Sequence, residues 1–225
     1  MQSIQTLRRN IVKYGKHLYD RNYIGGTEGN ISVRLSSSKV LITPTGKNLG
    51  WLKPSELVVI SSRGKKLSGK LLPSSEYKLH LAIYTYRHDV KAICHAHPIY
   101  ATAYAVVGLA MDKLILPEVI MMLGSIPLIE YGTPGTLELF EKMCCKIKNH
   151  DALLMKNHGV LTVGKDLEDA FNKMEIVERY ARILFIANLI GKPSVIPKKM
   201  AQKIPGFERI ESQLSEGEYG GESKQ

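Results

Sequence analysis

The sequence contains few cysteines and no hydrophobic run long enough to cross a membrane. Its three cysteines are Cys94, Cys144 and Cys145, an odd number with two of them adjacent. This spacing fits neither a disulfide framework nor a CxxC metal knuckle, so we expect reduced thiols. No stretch approaches the ~20 apolar residues of a transmembrane helix, and residues 1–9 lack the charged-then-apolar order of a secretory signal. We therefore expect a soluble, cytoplasmic protein without a membrane partner.

Acidic residues are scarce relative to basic ones, with 21 against 31 and a formal net charge of +10. A positive balance attracts phosphate groups, whether they belong to nucleic acid, to a membrane or to a small metabolite. The basic residues are spread along the chain as singles and pairs such as Lys65-Lys66, without a basic run interleaved with aromatics or a zinc-finger pattern. This distribution argues against a nucleic-acid partner.

The length of 225 residues and the hydrophobic share of 44% suit one domain. We place this domain at residues 1–205 and a flexible C-terminal tail at residues 206–225, where apolar residues become sparse. Helical spacing from Ile4 to Leu18 predicts an opening helix that ends near Tyr23, stopped by Gly25-Gly26. Further runs predict strands at 31–35, 40–43, 57–60, 91–95, 126–129, 152–156 and 160–163, and helices at 75–87, 98–107, 135–148 and 166–190.

The strongest chemical signal is His95-Ala96-His97 at the end of a predicted strand. Alternate strand residues point to one face, so two imidazoles at this spacing are able to share one zinc ion. A third ligand is offered by Asn157-His158-Gly159, on a predicted turn whose glycine tolerates unusual backbone angles. Three histidines would leave zinc an open catalytic position.

A histidine taken alone is more often an ordinary packed or solvated side chain than a metal ligand. The His-x-His pair together with Asn-His-Gly reverses this preference. The remaining histidines have no partner at ligand spacing and are interpreted as structural; they are His17, His80, His88 and His150.

Pro73-Ser74-Ser75-Glu76 lies at the start of a predicted helix and combines two hydroxyls, free backbone amides and one carboxylate. This combination suits anion binding beside a general base, with Glu76 in the first turn of the helix. Taken alone, it is as easily a helix cap in which a serine bonds the backbone. Two more loops, Gly29-Asn30 and Thr43-Pro44-Thr45-Gly46, are also able to present amides to a phosphate.

Five short blocks follow one another as Gly-Asn-Ile-Ser, Thr-Pro-Thr-Gly, Pro-Ser-Ser-Glu, His-Ala-His-Pro and Asn-His-Gly. This order resembles the class II aldolase and adducin-head family, and the resemblance extends from about Leu7 to Ile190. The blocks are most similar to those of members that cleave ketose 1-phosphates of the L-fuculose type. The resemblance implies an α/β fold of three layers, α/β/α, with a mostly antiparallel central sheet. It also implies a homotetramer with the site at the subunit interface.

The resemblance further implies a chemistry. One zinc ion per subunit is held by His95, His97 and His158, and Glu76 belongs to the same metal site. The implied substrate is a phosphorylated sugar, a ketose 1-phosphate, cleaved reversibly to dihydroxyacetone phosphate and a short aldehyde such as L-lactaldehyde. Breaking the carbon–carbon bond leaves carbanion charge that a Lewis acid must delocalise. Glu76 is implied to carry the proton to or from the reacting carbon.

The resemblance also assigns residues to the rest of the substrate. A tyrosine near the C-terminus of the family matches Tyr219, which is implied to be catalytic. A second family tyrosine has no counterpart, because the chain reads Leu116-Pro117-Glu118-Val119-Ile120 at that place. The loops implied to bind the substrate phosphate contribute Gly29, Asn30, Thr45, Gly46, Ser74 and Ser75.

Other activities of the same fold stay open. A pentulose 5-phosphate 4-epimerase also breaks a carbon–carbon bond with a metal, but its characteristic aspartate segment after the paired histidines is not evident here. A sugar-phosphate dehydratase or decarboxylase needs the same proton abstraction beside a carbonyl. Outside enzymes, an adducin-like binding module keeps the fold without catalysis. The presence of all three histidines and Glu76 argues against such a module.

Overall fold

Eight strands form one sheet in the computed structural model, which describes residues 2–214. They are β1 (Asn30–Ser36), β2 (Lys39–Ile42), β3 (Val58–Ser61), β4 (Lys66–Ser68), β5 (Ala92–Ala96), β6 (Leu128–Ile129), β7 (Ala152–Met155) and β8 (Gly159–Gly164). Their order across the sheet is β4-β3-β2-β1-β5-β8-β7-β6. Neighbours are antiparallel except for β6 and β7, which are parallel. The predicted α/β fold with a mostly antiparallel sheet is confirmed.

Eight α-helices accompany the sheet in the described part of the chain. They are α1 (Ile4–Asp20), α2 (Tyr77–Tyr86), α3 (Ile99–Val106), α4 (Pro117–Met122), α5 (Leu137–Ile147), α6 (Leu167–Ile190), α7 (Lys198–Ala201) and α8 (Phe207–Leu214). Within residues 2–214, none of these helices is both long enough and apolar enough to span a membrane.

Alternation along the strands divides the core into two layers. In β2, Leu41 packs in the cluster that contains side chains of α1 and α6, whereas Val40 and Ile42 pack in the cluster that contains side chains of α2 and α5. All three residues are at most 3% exposed. Burial of one such side chain stabilises the fold by about 1.5–3 kcal/mol. Helices therefore cover both faces of the sheet, as a strand pattern of period two allows.

Helix α1 ends earlier than predicted and by a different device. Its last residue is Asp20, and Asn22 follows with a φ of 57°. Across this left-handed residue the Tyr23 amide donates to the Leu18 carbonyl, as in a Schellman turn. Asn22 therefore stops the helix, and Gly25-Gly26 belongs to the loop that leads to β1.

Helix α8 lies within the stretch that was predicted to be a tail. It buries Phe207 and Ile210 in a small cluster with Ile120 of α4. These two side chains occur at helical spacing, so α8 packs through a narrow apolar stripe. The rest of the predicted tail, residues 215–225, lies outside the described residues.

Candidate metal centre and active site

His95 and His97 lie at one end of β5, in the middle of the sheet. His95 is paired with Asn30 of β1 and with Leu161 of β8. The Nε2 atoms of His95 and His97 are 3.2 Å apart. The two imidazoles therefore converge, the geometry expected of alternate residues along a strand.

The turn between β7 and β8 brings a third histidine to the same point. The ring centroid of His158 lies 4.7 Å from that of His95 and 5.2 Å from that of His97. One ligand nitrogen from each of the three lies within 4.8 Å of the others. Three nitrogen donors in this arrangement suit zinc or another divalent transition metal.

The backbone freedom used in this turn lies before His158 and not after it. Asn157 has a φ of 55°, whereas Gly159 does not have a positive φ. The expected role of Gly159 was therefore wrong. Glycine is needed at this position for space, because a Cβ would lie 2.3 Å from Cδ2 of His97 and 2.7 Å from the Ala96 carbonyl oxygen. A larger residue would displace the His97 ring.

Burial keeps the imidazoles of His95 and His158 neutral. His95 is 1% exposed, and burial lowers its pKa to about 3 against the opposing effect of the Glu76 carboxylate. Burial also lowers the pKa of His158. The Nδ1 of His95 is 2.9 Å from the Val160 carbonyl oxygen and donates to it, which leaves the lone pair on Nε2 facing the cluster. Neutral, oriented imidazoles are the form in which histidine binds metals.

The Glu76 carboxylate lies beside these imidazoles. Glu76 is not in the first turn of α2 as predicted, but occupies the position before Tyr77, where the helix begins. Its Oε2 is 3.2 Å from Nε2 of His95, and its Oε1 is 3.4 Å from Nε2 of His158. Within the described residues, the buried Oε1 accepts no hydrogen bond, so a cation at the cluster would satisfy it. The donor set and this oxygen fit a bound metal ion.

The carboxylate of Glu76 is ionised at neutral pH. Burial acts to raise its pKa, but the imidazoles of His95 and His158 and the side-chain amide of Asn30 outweigh burial and hold the pKa at about 2. Asn30 Nδ2 donates to Oε2 of Glu76 at 2.7 Å. An oriented, ionised carboxylate is the form that a general base requires.

The loops at residues 43–46 and 73–76, both predicted to bind phosphate, lie side by side. The Thr45 amide donates to the Leu72 carbonyl at 3.1 Å, and the Ser74 amide donates to the Thr43 carbonyl at 2.9 Å. These two amides hold the loops together and are not free for a phosphate. Gly46, with a φ of 68°, has no atom within 4 Å of the place a Cβ would take. Gly46, Ser75 and the loop hydroxyls stay as predicted phosphate contacts.

Gly29 and Asn30 adjoin the metal cluster. Gly29 has a φ of 75°, and a Cβ there would lie 2.6 Å from Cγ2 of Ile24, so glycine is required at this position. Asn30 is 4% exposed and its amide nitrogen is used by Glu76. Its Oδ1 has no hydrogen bond within residues 2–214. Asn30 thus orients the catalytic candidate Glu76, a contact that the sequence did not predict.

Two further groups that were not among the predicted site residues lie next to the cluster. Glu28 Oε2 lies 3.1 Å from Nδ1 of His97, a contact that no local sequence pattern indicates. His80, interpreted as structural, is fully buried, and its Nδ1 is 2.7 Å from the Ser32 hydroxyl. Burial lowers the pKa of His80 to about 4, against the raising effect of Glu76. In the sequence, the separation of four residues between Glu76 and His80 at a helix start indicates that the two side chains are neighbours on one face of the helix.

Tyr219 falls outside the described residues. A cavity of about 920 Å³ lies at the opposite end of the sheet, between the start of α1 and the start of α6, and none of the predicted site residues lines it.

Comparison with known proteins places this geometry in a family context. The sequence profile of the class II aldolase and adducin N-terminal domain matches residues 9–185. L-fuculose phosphate aldolase from Methanococcus maripaludis (strain C5) is 37% identical over 186 residues, which cover 81% of this chain and 98% of that protein. The 3-oxo-tetronate 4-phosphate decarboxylase from Escherichia coli (strain K12) is 34% identical over 186 residues, covering 81% of this chain and 87% of that protein.

A solved structure extends the similarity to three dimensions. L-fuculose-1-phosphate aldolase from Thermus thermophilus superimposes with a TM-score of 0.74 at 28% identity, covering 84% of this chain and 98% of that chain. The matched part of the sequence, residues 9–185, contains His95, His97 and His158.

Proposed function

Because the chain belongs to the class II aldolase and adducin N-terminal domain family, we propose that it is a metal-dependent lyase acting on a phosphorylated sugar. The proposed reaction is the reversible cleavage of a ketose 1-phosphate of the L-fuculose type. The products are dihydroxyacetone phosphate and a short aldehyde such as L-lactaldehyde. The observation that carries this proposal is the meeting of His95, His97 and His158 with an ionised Glu76 carboxylate at one end of the sheet.

The proposed metal is one zinc ion per subunit, held by the three imidazoles. When bound, such an ion supplies Lewis acidity next to the substrate carbonyl. The neutral state of His95 and the orphaned Oε1 of Glu76 support this assignment.

Glu76 carries the proton in this proposal. In the direction of synthesis, its carboxylate removes a proton from the carbon next to the carbonyl of dihydroxyacetone phosphate, that carbon bonds to the aldehyde carbon, and the proton passes to the aldehyde oxygen. In the direction of cleavage, the ionised Glu76 accepts the proton of the hydroxyl on the departing carbon, the carbon–carbon bond breaks, and Glu76 delivers that proton to the remaining carbon. Asn30 holds the carboxylate in place by its 2.7 Å hydrogen bond. Proton transfer by a positioned group contributes about 10²- to 10⁴-fold in rate.

The substrate phosphate is proposed to lie over the paired loops. Gly46 and Ser75, with the hydroxyls of Thr45 and Ser74, would contact the phosphate oxygens, and Gly29 and Asn30 would border it. The net charge of +10 supports attraction of such dianions. We propose Tyr219 as a further catalytic residue and a cytoplasmic location for the enzyme.

We also propose a homotetramer, whose sedimentation or light scattering would give four times the chain mass. Apolar side chains exposed on α3 and at the end of α6 support an association between copies. Those most exposed are Ile99 at 64%, Leu189 at 72% and Ile190 at 83%.

The test is a cleavage assay on L-fuculose 1-phosphate with purified, zinc-loaded protein and a chelator-treated control. We expect chelator-sensitive release of dihydroxyacetone phosphate. His95→Ala is expected to lose zinc and activity together. Glu76→Gln is expected to retain zinc, because all three imidazoles remain, and to lose at least about 10²-fold in kcat. Glu168→Gln, which removes an exposed carboxylate in the first turn of α6, beyond the end of β8 that is remote from the histidines, serves as the matched control.

A decarboxylase is the second candidate, because a relative 34% identical bears the name 3-oxo-tetronate 4-phosphate decarboxylase. Loss of carbon dioxide beside a carbonyl also leaves carbanion charge, which calls for the same Lewis acid and the same proton donor. Release of carbon dioxide from a 3-oxo sugar-acid 4-phosphate, without cleavage of L-fuculose 1-phosphate, would favour this activity. A purified protein that binds no metal would contradict both and favour an adducin-like binding module.

A further inference from the structure

The three imidazoles of the cluster differ in what holds their second ring nitrogen. Nδ1 of His95 donates to a backbone carbonyl oxygen, that of Val160, at 2.9 Å. Nδ1 of His158 is buried and has no hydrogen-bond partner within residues 2–214. Nδ1 of His97 lies 3.1 Å from a carboxylate oxygen, Oε2 of Glu28. His97 is therefore the member of the cluster whose Nδ1 faces a charged group.

His97 is also the ligand that packing holds least. Its side chain is 22% exposed, against 2% for His95 and 10% for His158. The backbone amide of His97 donates to the Tyr23 carbonyl at 2.8 Å, which fixes the chain but not the ring. A side-chain contact is therefore needed to set the direction of the imidazole.

Glu28 is itself held in place for this contact. Its Oε1 accepts a hydrogen bond from the Gly25 amide at 2.5 Å, and its own amide donates to the Gly25 carbonyl at 3.3 Å. The carboxylate thus closes a short turn with one oxygen and faces His97 with the other. A group fixed in this way orients its partner at a smaller cost in conformational entropy than a free surface side chain would.

We infer that Glu28 is a positioning residue for the metal centre, acting through His97. Its carboxylate accepts a hydrogen bond from Nδ1–H, which selects the tautomer with a lone pair on Nε2 and turns that lone pair toward His95 and His158. Outer carboxylate contacts of this kind typically change metal affinity about 10- to 100-fold. The inference rests on the proposed metal dependence.

The experiment compares the full-length wild-type protein with Glu28→Ala, Glu28→Gln and the control Glu168→Gln. The dissociation constant for Zn²⁺ is measured at one pH by competition with a chromophoric chelator. We expect Glu28→Ala to weaken Zn²⁺ binding about 10- to 100-fold. Glu28→Gln keeps an acceptor oxygen without the charge and is expected to lose less. Glu168→Gln is expected to bind as the wild type does.

Two additional measurements separate positioning from a general effect on folding. Without metal, Glu28→Gln, which keeps an oxygen for the Gly25 amide, is expected to unfold at the same temperature as the wild type. When Zn²⁺ is added, the Tm of Glu28→Ala is expected to rise less than that of the wild type. The visible absorption of bound Co²⁺ is expected to change in Glu28→Ala and not in Glu168→Gln. A lower Tm without metal in Glu28→Ala, with unchanged affinity in Glu28→Gln, would overturn the inference.

Equal Zn²⁺ affinities and equal Co²⁺ spectra in the wild type and both Glu28 variants would also overturn the role of Glu28 while leaving the proposed function intact. A wild-type protein that binds neither ion would contradict the proposed metal dependence itself. The two failures are therefore distinguishable in one titration series.

Discussion

Single residues around the three histidines work within tight steric limits. Gly159 lies against the His97 ring and the Ala96 carbonyl, and Gly29 lies against Ile24. In both places the missing side chain leaves room for a group that builds the centre. The geometry of the centre therefore depends on the space left at Gly159 and Gly29 as well as on the donor atoms.

The steric role of Gly159 leads to a direct prediction. Gly159→Ala would place a methyl group 2.3 Å from Cδ2 of His97, so the ring must move away from the cluster. We expect the variant to bind Zn²⁺ at least about 10-fold more weakly and to lose cleavage activity in parallel. Metal content after dialysis and the cleavage assay measure the two effects.

Gly191→Ala is the matched control, because no atom lies within 4 Å of the Cβ it would add. It is expected to retain metal and activity. Wild-type metal binding by Gly159→Ala would contradict the steric account of this glycine.

Helices and strands contribute to the site through their ends. β5 ends at Ala96, between His95 and His97, and the β7–β8 turn carries His158. Because β5 and β8 are antiparallel, the end of one lies beside the start of the other. Helix α2 begins next to these strand ends and contributes Glu76. All four groups therefore meet although they come from three separate segments.

The end of α1 governs the loop that supports His97, since this loop begins right after Asn22. Asn22 has a φ of 57°, a conformation that costs most L-residues about 1–2 kcal/mol. Asparagine tolerates it better than alanine, and glycine tolerates it without steric cost. We expect Asn22→Ala to lower the free energy of unfolding by about 1 kcal/mol, and Asn22→Gly to be at least as stable as Asn22→Ala. Urea unfolding followed by circular dichroism measures both, and Asn22→Gly less stable than Asn22→Ala would contradict this explanation.

The molecule as a whole is joined by a buried charge network at Asp151, just before β7. Asp151 accepts hydrogen bonds from Arg87 after α2 at 2.9 Å, from Lys173 of α6 at 2.9 Å and from Arg209 of α8 at 2.7 Å. One carboxylate thus connects three helices to the sheet. Burial acts to raise the pKa of Asp151, but Lys173 and Arg87 outweigh it, and the pKa is lowered.

Asp151→Asn is expected to destabilise the protein by about 3 kcal/mol at neutral pH, because Lys173 and Arg87 lose a buried counter-charge. A carboxylate whose pKa is lowered by folding stabilises the protein above its unfolded-state pKa of about 4, and this stabilisation is lost as the pH falls through the lower folded-state pKa. The difference between variant and wild type should therefore shrink in acid. Urea unfolding of both proteins, once at neutral pH and once at a pH below about 4, measures this difference in the free energy of unfolding.

Asp89→Asn is the control for this network, because Asp89 contacts the same Arg87 from a side chain that is 66% exposed. Such a surface pair contributes about 0–1 kcal/mol. An equal loss of stability in the two variants would contradict the importance of burial at Asp151.

Sequence patterns predict most of the strands and helices, but not strand β4 or helix α8. Strand β4 was missed because all three of its residues are exposed and no apolar alternation marks it. The sequence of α8 does not indicate a packed helix, because its apolar stripe is short and lies among charged residues. Both elements depend on contacts with distant segments, which local periodicity does not contain.

Local patterns were sufficient to predict most strands and helices, the His95–His97 pair, the candidate ligand His158 and the carboxylate of Glu76, whereas the layered α/β fold was implied by the resemblance to the family. Periodicity and short motifs carry these features, because each is set by residues a few positions apart. The partners of these groups were decided in three dimensions. Asn30 meets Glu76 across 46 positions, and Glu28 meets His97 across 69. Folding alone brings such pairs within hydrogen-bonding distance, because strand register and loop packing, not spacing along the chain, determine which side chains face each other.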